Sequence, residues 1–253
     1  MNIHDLPLQV RQANTAIIYK GKSPINGTPI IAVISGLRTK STNDKSGAMA
    51  QIDIMLENMH PWDAIKTGAD EAICGYCPLR LQSNGKRKCY VNVIFAQGGK
   101  YKTLSKIPYI SPEHLGLILS ERSIGVRFGS YGDPATLPYE LINTIRNACP
   151  SVTSTSYTHQ WPEEWFDVRH FQYSMASVDH KNTVENLRSM YGRNVRYYRL
   201  TNNPNDLAKD EILCPSDTNK RGSNGKRLVT CATCGLCSGN SIKAKNIVIV
   251  EGN

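Results

Sequence analysis

No stretch of the chain approaches the run of about 20 apolar residues that a membrane helix needs. The opening dozen residues, MNIHDLPLQVRQ, lack the apolar core and small-residue cleavage site of a secretory signal, so the expectation is a soluble, cytoplasmic protein with no membrane partner. There is no G-x4-G-K-[ST] run, which sets P-loop phosphate handling aside. There is no H-E-x-x-H zinc-protease motif, no G-x-S-x-G nucleophile elbow, and no H-x-H pair placed near a tyrosine as in rolling-circle initiators.

What the chain does have is enough apolar material for a core: 253 residues, 40% hydrophobic and 20% charged, sufficient for one large domain or two small ones. The formal net charge of +9 favours polyanionic partners: a nucleic acid, a nucleotide or an acidic protein. The densest basic patches are SNGKRKC, NKRGSNGKR and RSMYGRNVRYYR, and the first two lie inside cysteine loops.

Eight cysteines are present, and seven fall into two groups. Reducing conditions disfavour disulfides, so grouped cysteines point to metal chemistry. Cys231, Cys234 and Cys237 form C-x2-C-x2-C, and Cys214, followed by proline, is the remote fourth thiol. Three close thiolates plus a remote Cys-Pro fit one ferredoxin-like [4Fe-4S] cluster, so that the chain as a whole would hold one or two; zinc is the alternative. Cys74, Cys77 and Cys89 form the other group, C-x2-C-x11-C. Three thiolates either leave one iron of a cluster open or need a fourth ligand; His60, His114 and Cys149 are candidates. Cys149 also reads as a small buried hydrophobe. Both groups carry the pentapeptide SNGKR before a closing cysteine. Lys86, Arg87, Lys226 and Arg227 are therefore candidates to contact nucleic-acid phosphate, to offset thiolate charge and donate to sulfur, or simply to keep an exposed turn soluble.

Residues 28–36 read as a strand, and 46–68 as two helices divided by the proline after His60. Residues 90–107 are ambiguous between strand and helix and lean to helix, and 111–122 begin with a Ser-Pro helix start. Strands are expected at 124–130, 152–158, 172–178, 194–200 and 245–252, with helices after the first and third of them. That alternation predicts an α/β fold: a full or partial (βα) barrel of parallel strands, or a doubly wound sheet. The expected division is a barrel-like domain over 1–210 with the three-cysteine loop at 74–89, and a four-cysteine extension over 211–253 that packs on it and adds a final strand.

Parallel sheets place their chemistry at the carboxyl ends of strands. Polar, titratable and aromatic residues recur there: Gly129, Tyr131, Gly132 and Asp133; then Tyr157, His159, Gln160 and Trp161; then Ser177 and Asp179. Asp133, His159 and Asp179 are the candidate catalytic residues. Gly129, Tyr131, Gly132, Tyr157 and Ser177 are candidates to hold a cofactor. Tyr157 and Trp161 are suited to stacking a base. Asp133 and Asp179 equally suit helix N-caps.

The segments MHPWDAIKTGADEAICGYCPLR, CYVNV, GSYGDPATLP, YTHQW, MASVD and CATCGLCSG, in that order, resemble a family of cysteine-rich phage and prophage proteins. The resemblance runs from about residue 28 to the end and implies a host-cell setting and a host factor as a further possible partner. A weaker similarity is to radical S-adenosylmethionine enzymes. It implies a site-differentiated cluster on Cys74, Cys77 and Cys89, an auxiliary cluster on Cys214, Cys231, Cys234 and Cys237, and S-adenosylmethionine near GSYGDP. The spacing departs from that family's C-x3-C-x2-C. Two functions follow as expectations: an iron–sulfur enzyme acting on a nucleotide or nucleic acid, or a basic zinc protein that binds nucleic acid or a host factor.

Overall fold

The computed structural model describes residues 3–39, 41–81, 84–217, 220–223, 225–239 and 244–250. After a short helix α1 (Leu8–Gln12) come three antiparallel strands, β1 (Thr15–Lys22), β2 (Pro29–Ser35) and β3 (Met49–Leu56). The chain then passes through α2 (Pro61–Thr67), α3 (Glu71–Cys74), α4 (Ala96–Lys102) and α5 (Pro112–Glu121) before β4 (Gly125–Tyr131), which pairs parallel with β3. Helix α6 (Tyr139–Ala148) leads to the two short strands β5 (Ser154–Thr155) and β6 (Tyr157–Thr158). Then follow β7 (Met175–Val178), α7 (Lys181–Tyr191), β8 (Tyr197–Thr201), β9 (Glu211–Leu213), α8 (Cys231–Cys234) and β10 (Asn246–Val250).

The strands form two five-stranded sheets, β1-β2-β3-β4-β5 and β6-β7-β8-β10-β9, the second entirely parallel. The fold is thus mixed α/β with parallel strands, as the alternation implied. The barrel expectation is not met: the first three strands are antiparallel, and among the described residues no ladder joins β9 to β1. Ser156 is the hinge between the sheets. Its carbonyl accepts from Met175 in the second sheet, while Thr155 just before it pairs with Arg127 in the first.

Residues 46–68 depart from the two-helix expectation. Met49–Leu56 is a strand buried on both faces, so its apolar residues follow no single helical stripe; only Pro61–Thr67 is helical. The helix at 111–122 starts as expected, with Ser111 accepting from the His114 N–H. Residues 96–102 of the 90–107 segment are helical, and a buried Asp53 on β3 pins that helix by pairing with Lys100 and Gln97.

The main core lies between the first sheet and α5 and α6. One face of the second sheet buries Ala176, Val178 and Tyr197 against α7 residues Val184 and Leu187. Its other face buries Met175 and Ile247, with Tyr157 and Tyr198, against Cys214 and Cys237. The four-cysteine segment therefore packs on the sheet, and its flanks β9 and β10 are strands of that same sheet.

Candidate metal centres at the strand ends

Helix α3 ends at Cys74, and Gly75 follows with φ +52° and ψ −134°, which sharply turns the chain toward Cys77. A Cβ at Gly75 would stand 2.0 Å from Gln160 Oε1, so glycine is required twice over, by backbone conformation and by space. The Cys77 N–H donates to the Cys74 carbonyl and the Cys89 N–H to the Leu79 carbonyl, folding the loop back on itself. Arg80 locks that fold by donating to Asp70 and to the carbonyls of Gly68 and Gly75. Burial, with Asp70, Cys77, Cys89 and Asp133 nearby, pushes the Cys74 thiol well up.

The carboxyl ends of β4 and β6 meet this loop. The Asp133 N–H donates to the Ile73 carbonyl at 2.6 Å. Gln160 Nε2 donates to the Cys74 carbonyl at 2.8 Å. The Tyr131 hydroxyl is buried with no partner, and burial together with Cys74, Asp70 and Cys89 raises its pKa. His159 follows β6; its ring lies near Cys77, and its Nε2 lies 3.4 Å from Asp179 Oδ1, just past β7. Burial works against the imidazolium, yet Asp179 and Cys77 together push the His159 pKa up to about 10. The three expected thiols and the polar residues of three successive strand ends thus converge on one place.

The site residues divide by role. Both Asp133 oxygens are committed: Oδ1 accepts from Ala135, and Oδ2 accepts from the His159 N–H and from Gln160. Asp133 is therefore the N-cap of the following turn and a positioner of His159. Asp179 is not a cap; His180 occupies the N-cap position of α7, and the Asp179 carboxylate faces His159. Gly129 and Gly132 serve the backbone: a Cβ would meet Pro134 Cδ at 2.6 Å at the first and Ile54 Cβ at 2.7 Å at the second. Ser177 is buried, and its carbonyl accepts from the Trp161 indole. Trp161 itself is core, 3% exposed, so it cannot stack a base. Tyr157 leans on Tyr198 and faces the other cysteine group.

None of the three candidates for a fourth ligand is held against the thiols. His60 accepts from the Trp62 N–H as the cap of α2 and packs edge-on against Tyr101. His114 lies in the first turn of α5, where its N–H meets Ser111. Cys149 is fully buried and donates to the Ile145 carbonyl at 3.0 Å, as a small hydrophobe would.

Cys214, Cys231, Cys234 and Cys237 all line one small cavity, together with Thr155, Ser216 and Ile247. Ser216 lies beside Cys214 and Cys231 and Tyr157 beside Cys237, and each favours the neighbouring thiolate, while the Ser216 hydroxyl donates to the Lys45 carbonyl at 2.8 Å. Burial pushes the Cys214 thiol up to about 11 and the Cys237 thiol up to about 12. The turn at 43–47 clamps the segment: its carbonyls at Lys45 and Ser46 accept from Cys231 and Ala232. The cations that lower the thiol pKa values are Lys45 and Arg127. Arg227, expected to do so directly, reaches the site only through the Ser216 carbonyl.

The repeated pentapeptide folds the same way twice. Leu81 bridges Arg87, and Arg221 bridges Arg227, each across a turn with a left-handed glycine, Gly85 or Gly225. Both arginines turn inward. Arg87 donates to the carbonyls of Cys89 and Val91, and Arg227 to the Ser216 carbonyl and Asp44. As candidate phosphate contacts the two arginines are corrected to loop pins, while Lys86 and Lys226 have exposed positions. Ser83 and Asn224 of the two repeats lie outside the described residues.

The donor sets suit thiophilic metals: buried thiols, a histidine backed by a carboxylate, and hydrogen-bond donors to sulfur. Among the described residues, no three of His, Cys, Asp and Glu already stand at coordinating spacing. Tyr76 and Tyr90, flanking residues of the first loop, and nearby Phe95 are at least 70% exposed, an aromatic display that the sequence pattern did not single out. Among the described residues no helix is long and apolar enough to cross a membrane. No protein-family model, curated protein or solved structure matches the chain.

Proposed function

We propose that this protein is an iron–sulfur enzyme that acts on a nucleotide or nucleic acid. Cys74, Cys77 and Cys89 form its working centre, and Cys214, Cys231, Cys234 and Cys237 form an auxiliary one. The observation that carries this reading is the meeting of the three-thiol loop with His159 and Asp179 at the ends of parallel strands, where α/β folds hold their chemistry. The four-thiol cavity lies against the second sheet, and the 43–47 turn clamps its segment, as suits a resident group.

The substrate class rests on charge and on exposed π-surface. The net charge of +9 draws polyanions, and Tyr76, Tyr90 and Phe95 offer faces on which bases stack. S-adenosylmethionine is left out of the proposal, because Gly129 and Gly132 are accounted for by close packing within the turn. A host-cell setting and a host factor as partner stay with the phage resemblance as part of the same proposal.

A second reading, two zinc sites in a nucleic-acid-binding protein, is favoured by one observation: His159 sits between Cys77 and a carboxylate, the outer arrangement of a histidine bound to zinc. Anaerobic purification with an absorption spectrum and metal analysis on one sample separates the two. Iron with sulfide and a broad band near roughly 400 nm supports the enzyme. Colourless protein with stoichiometric zinc supports the second reading, and protein free of both overturns each.

A further inference from the structure

We infer that His159 is the fourth ligand of the three-thiol centre and that Asp179 is the carboxylate that orients its ring. This rests on the second reading, in which Cys74, Cys77 and Cys89 hold zinc, and closes that site with the one donor which the group lacks.

Four observations converge. The His159 ring lies beside Cys77, near enough for that thiol to favour its charged form. Its backbone is fixed, because its N–H donates to Asp133 Oδ2 at 2.8 Å. The next residue, Gln160, ties the same segment to the Cys74 carbonyl, so the thiol loop and the histidine are stitched together at adjacent positions. Beside them the Tyr131 hydroxyl is buried, unpartnered and within electrostatic reach of Cys74 and Cys89, as a donor awaiting a thiolate would be.

The chemistry is consistent. An imidazole binds a metal through one nitrogen and gives its other N–H to a carboxylate, which sets tautomer and ring orientation. Asp179 Oδ1, 3.4 Å from the ring, is in place to accept. A neutral fourth ligand also leaves the site one negative charge lighter than four thiolates would, which matters where Asp70 and Asp133 already crowd the thiols.

Cobalt(II) is the probe, added to the full-length chain prepared metal-free under reductant. Two ions per chain are expected for the wild type. His159→Ala should lose tight binding of one of them, and Asp179→Asn should weaken it about 10- to 100-fold. His159→Cys should restore two ions and shift the d–d bands of the recovered site to the red, toward those of a tetrathiolate, a change that a merely structural role would not produce. Circular dichroism and thermal melting of each variant establish that it is folded. If the wild type binds two ions and His159→Ala binds both with affinities within about twofold and an unchanged spectrum, the ligand assignment is overturned while the metal centre stands. If cobalt binding to the wild type is unaffected by Cys74→Ser, the centre itself is wrong and the assignment falls with it.

Discussion

Tyr157 lies on β6 and His159 just past its end, and each sits beside a different cysteine group: Tyr157 beside Cys237, and the His159 ring beside Cys77. One short segment thus joins the two centres, although their cysteines lie more than a hundred positions apart in the chain. Replacing either residue should therefore act on one centre and spare the other. Tyr157→Phe removes only the hydroxyl beside Cys237, and groups that act on a metal through its ligands contribute about 10- to 100-fold in metal affinity. The expected result of a cobalt titration is weakened binding at the four-thiol centre with the three-thiol signal unchanged. Equal loss at both centres would show that the strand transmits the change rather than isolating it.

The paired hairpins separate structure from recognition within the pentapeptide. Arg227 is largely buried and holds the Ser216 carbonyl and Asp44, so Arg227→Gln should cost about 1.5–3 kcal/mol, the scale of hydrogen bonds to a charged group. Arg87→Gln should fall in the same range through the carbonyls of Cys89 and Val91. Both effects are read in denaturant midpoints. Lys86→Gln should leave the midpoint alone, and the salt dependence of nucleic-acid affinity is read in the double variant Lys86→Gln, Lys226→Gln. If those lysines meet single-stranded nucleic acid, the double variant lowers the slope of log affinity against log salt by about 1.4. An unchanged slope would remove the lysines from any phosphate contact.

How far the sequence foreshadowed this site depends on what kind of contact is involved. Strand ends are legible because β-branched runs close on glycine and polar residues, and the polar residues after β4, β6 and β7 do converge. The partner of those ends was not legible. His159 has no telling spacing from Cys77, since a contact across 82 positions is made by topology and not by local pattern. The roles of Asp133 and Asp179 were open for a related reason: both precede a helical turn, and only the fold reveals that one caps and the other faces a histidine. Met49–Leu56 was read as helix because burial on both faces erases the period-two signal. The inward turn of Arg87 and Arg227 was hidden because a basic residue in a polar loop looks the same in sequence whether it meets solvent or a carbonyl.

Gly75 is the position at which the three-thiol loop is most sensitive. Gly75→Ala introduces two separate costs, a β-carbon at φ +52° and a contact 2.0 Å from Gln160 Oε1. A loss of 2 kcal/mol or more is expected, on the order of backbone strain plus overpacking. Gln160→Ala alone removes the tether to the Cys74 carbonyl and relieves the crowding. In the double variant the clash is gone but the strain stays, so the two costs should be less than additive by roughly 1 kcal/mol. Full additivity in a double-mutant cycle would mean that Gln160 does not pack on Gly75.

The second sheet carries a pH dependence that is independent of any metal. Arg199 and Glu211 pair at 2.7 Å with both side chains almost wholly buried, and Tyr197 and the Ala208 N–H also donate to the carboxylate. Burial opposes the Glu211 charge, but Arg199 leads the contacts that outweigh it and hold the carboxyl below its ordinary value. A depressed carboxyl stabilises the fold above the unfolded-state value of about 4.3 and loses that contribution as pH falls through the lower folded-state value. Stability measured by urea unfolding should therefore decline below about pH 4.3, and Glu211→Gln should flatten part of that decline. At neutral pH the same substitution leaves Arg199 buried beside a neutral amide and should cost about 3–5 kcal/mol. Because β9 and β10 flank the four-thiol segment, the variant should also release metal from that centre at lower denaturant than the wild type does. Metal release that stays level between the two proteins would mean that the cysteine segment holds its shape without the sheet beneath it.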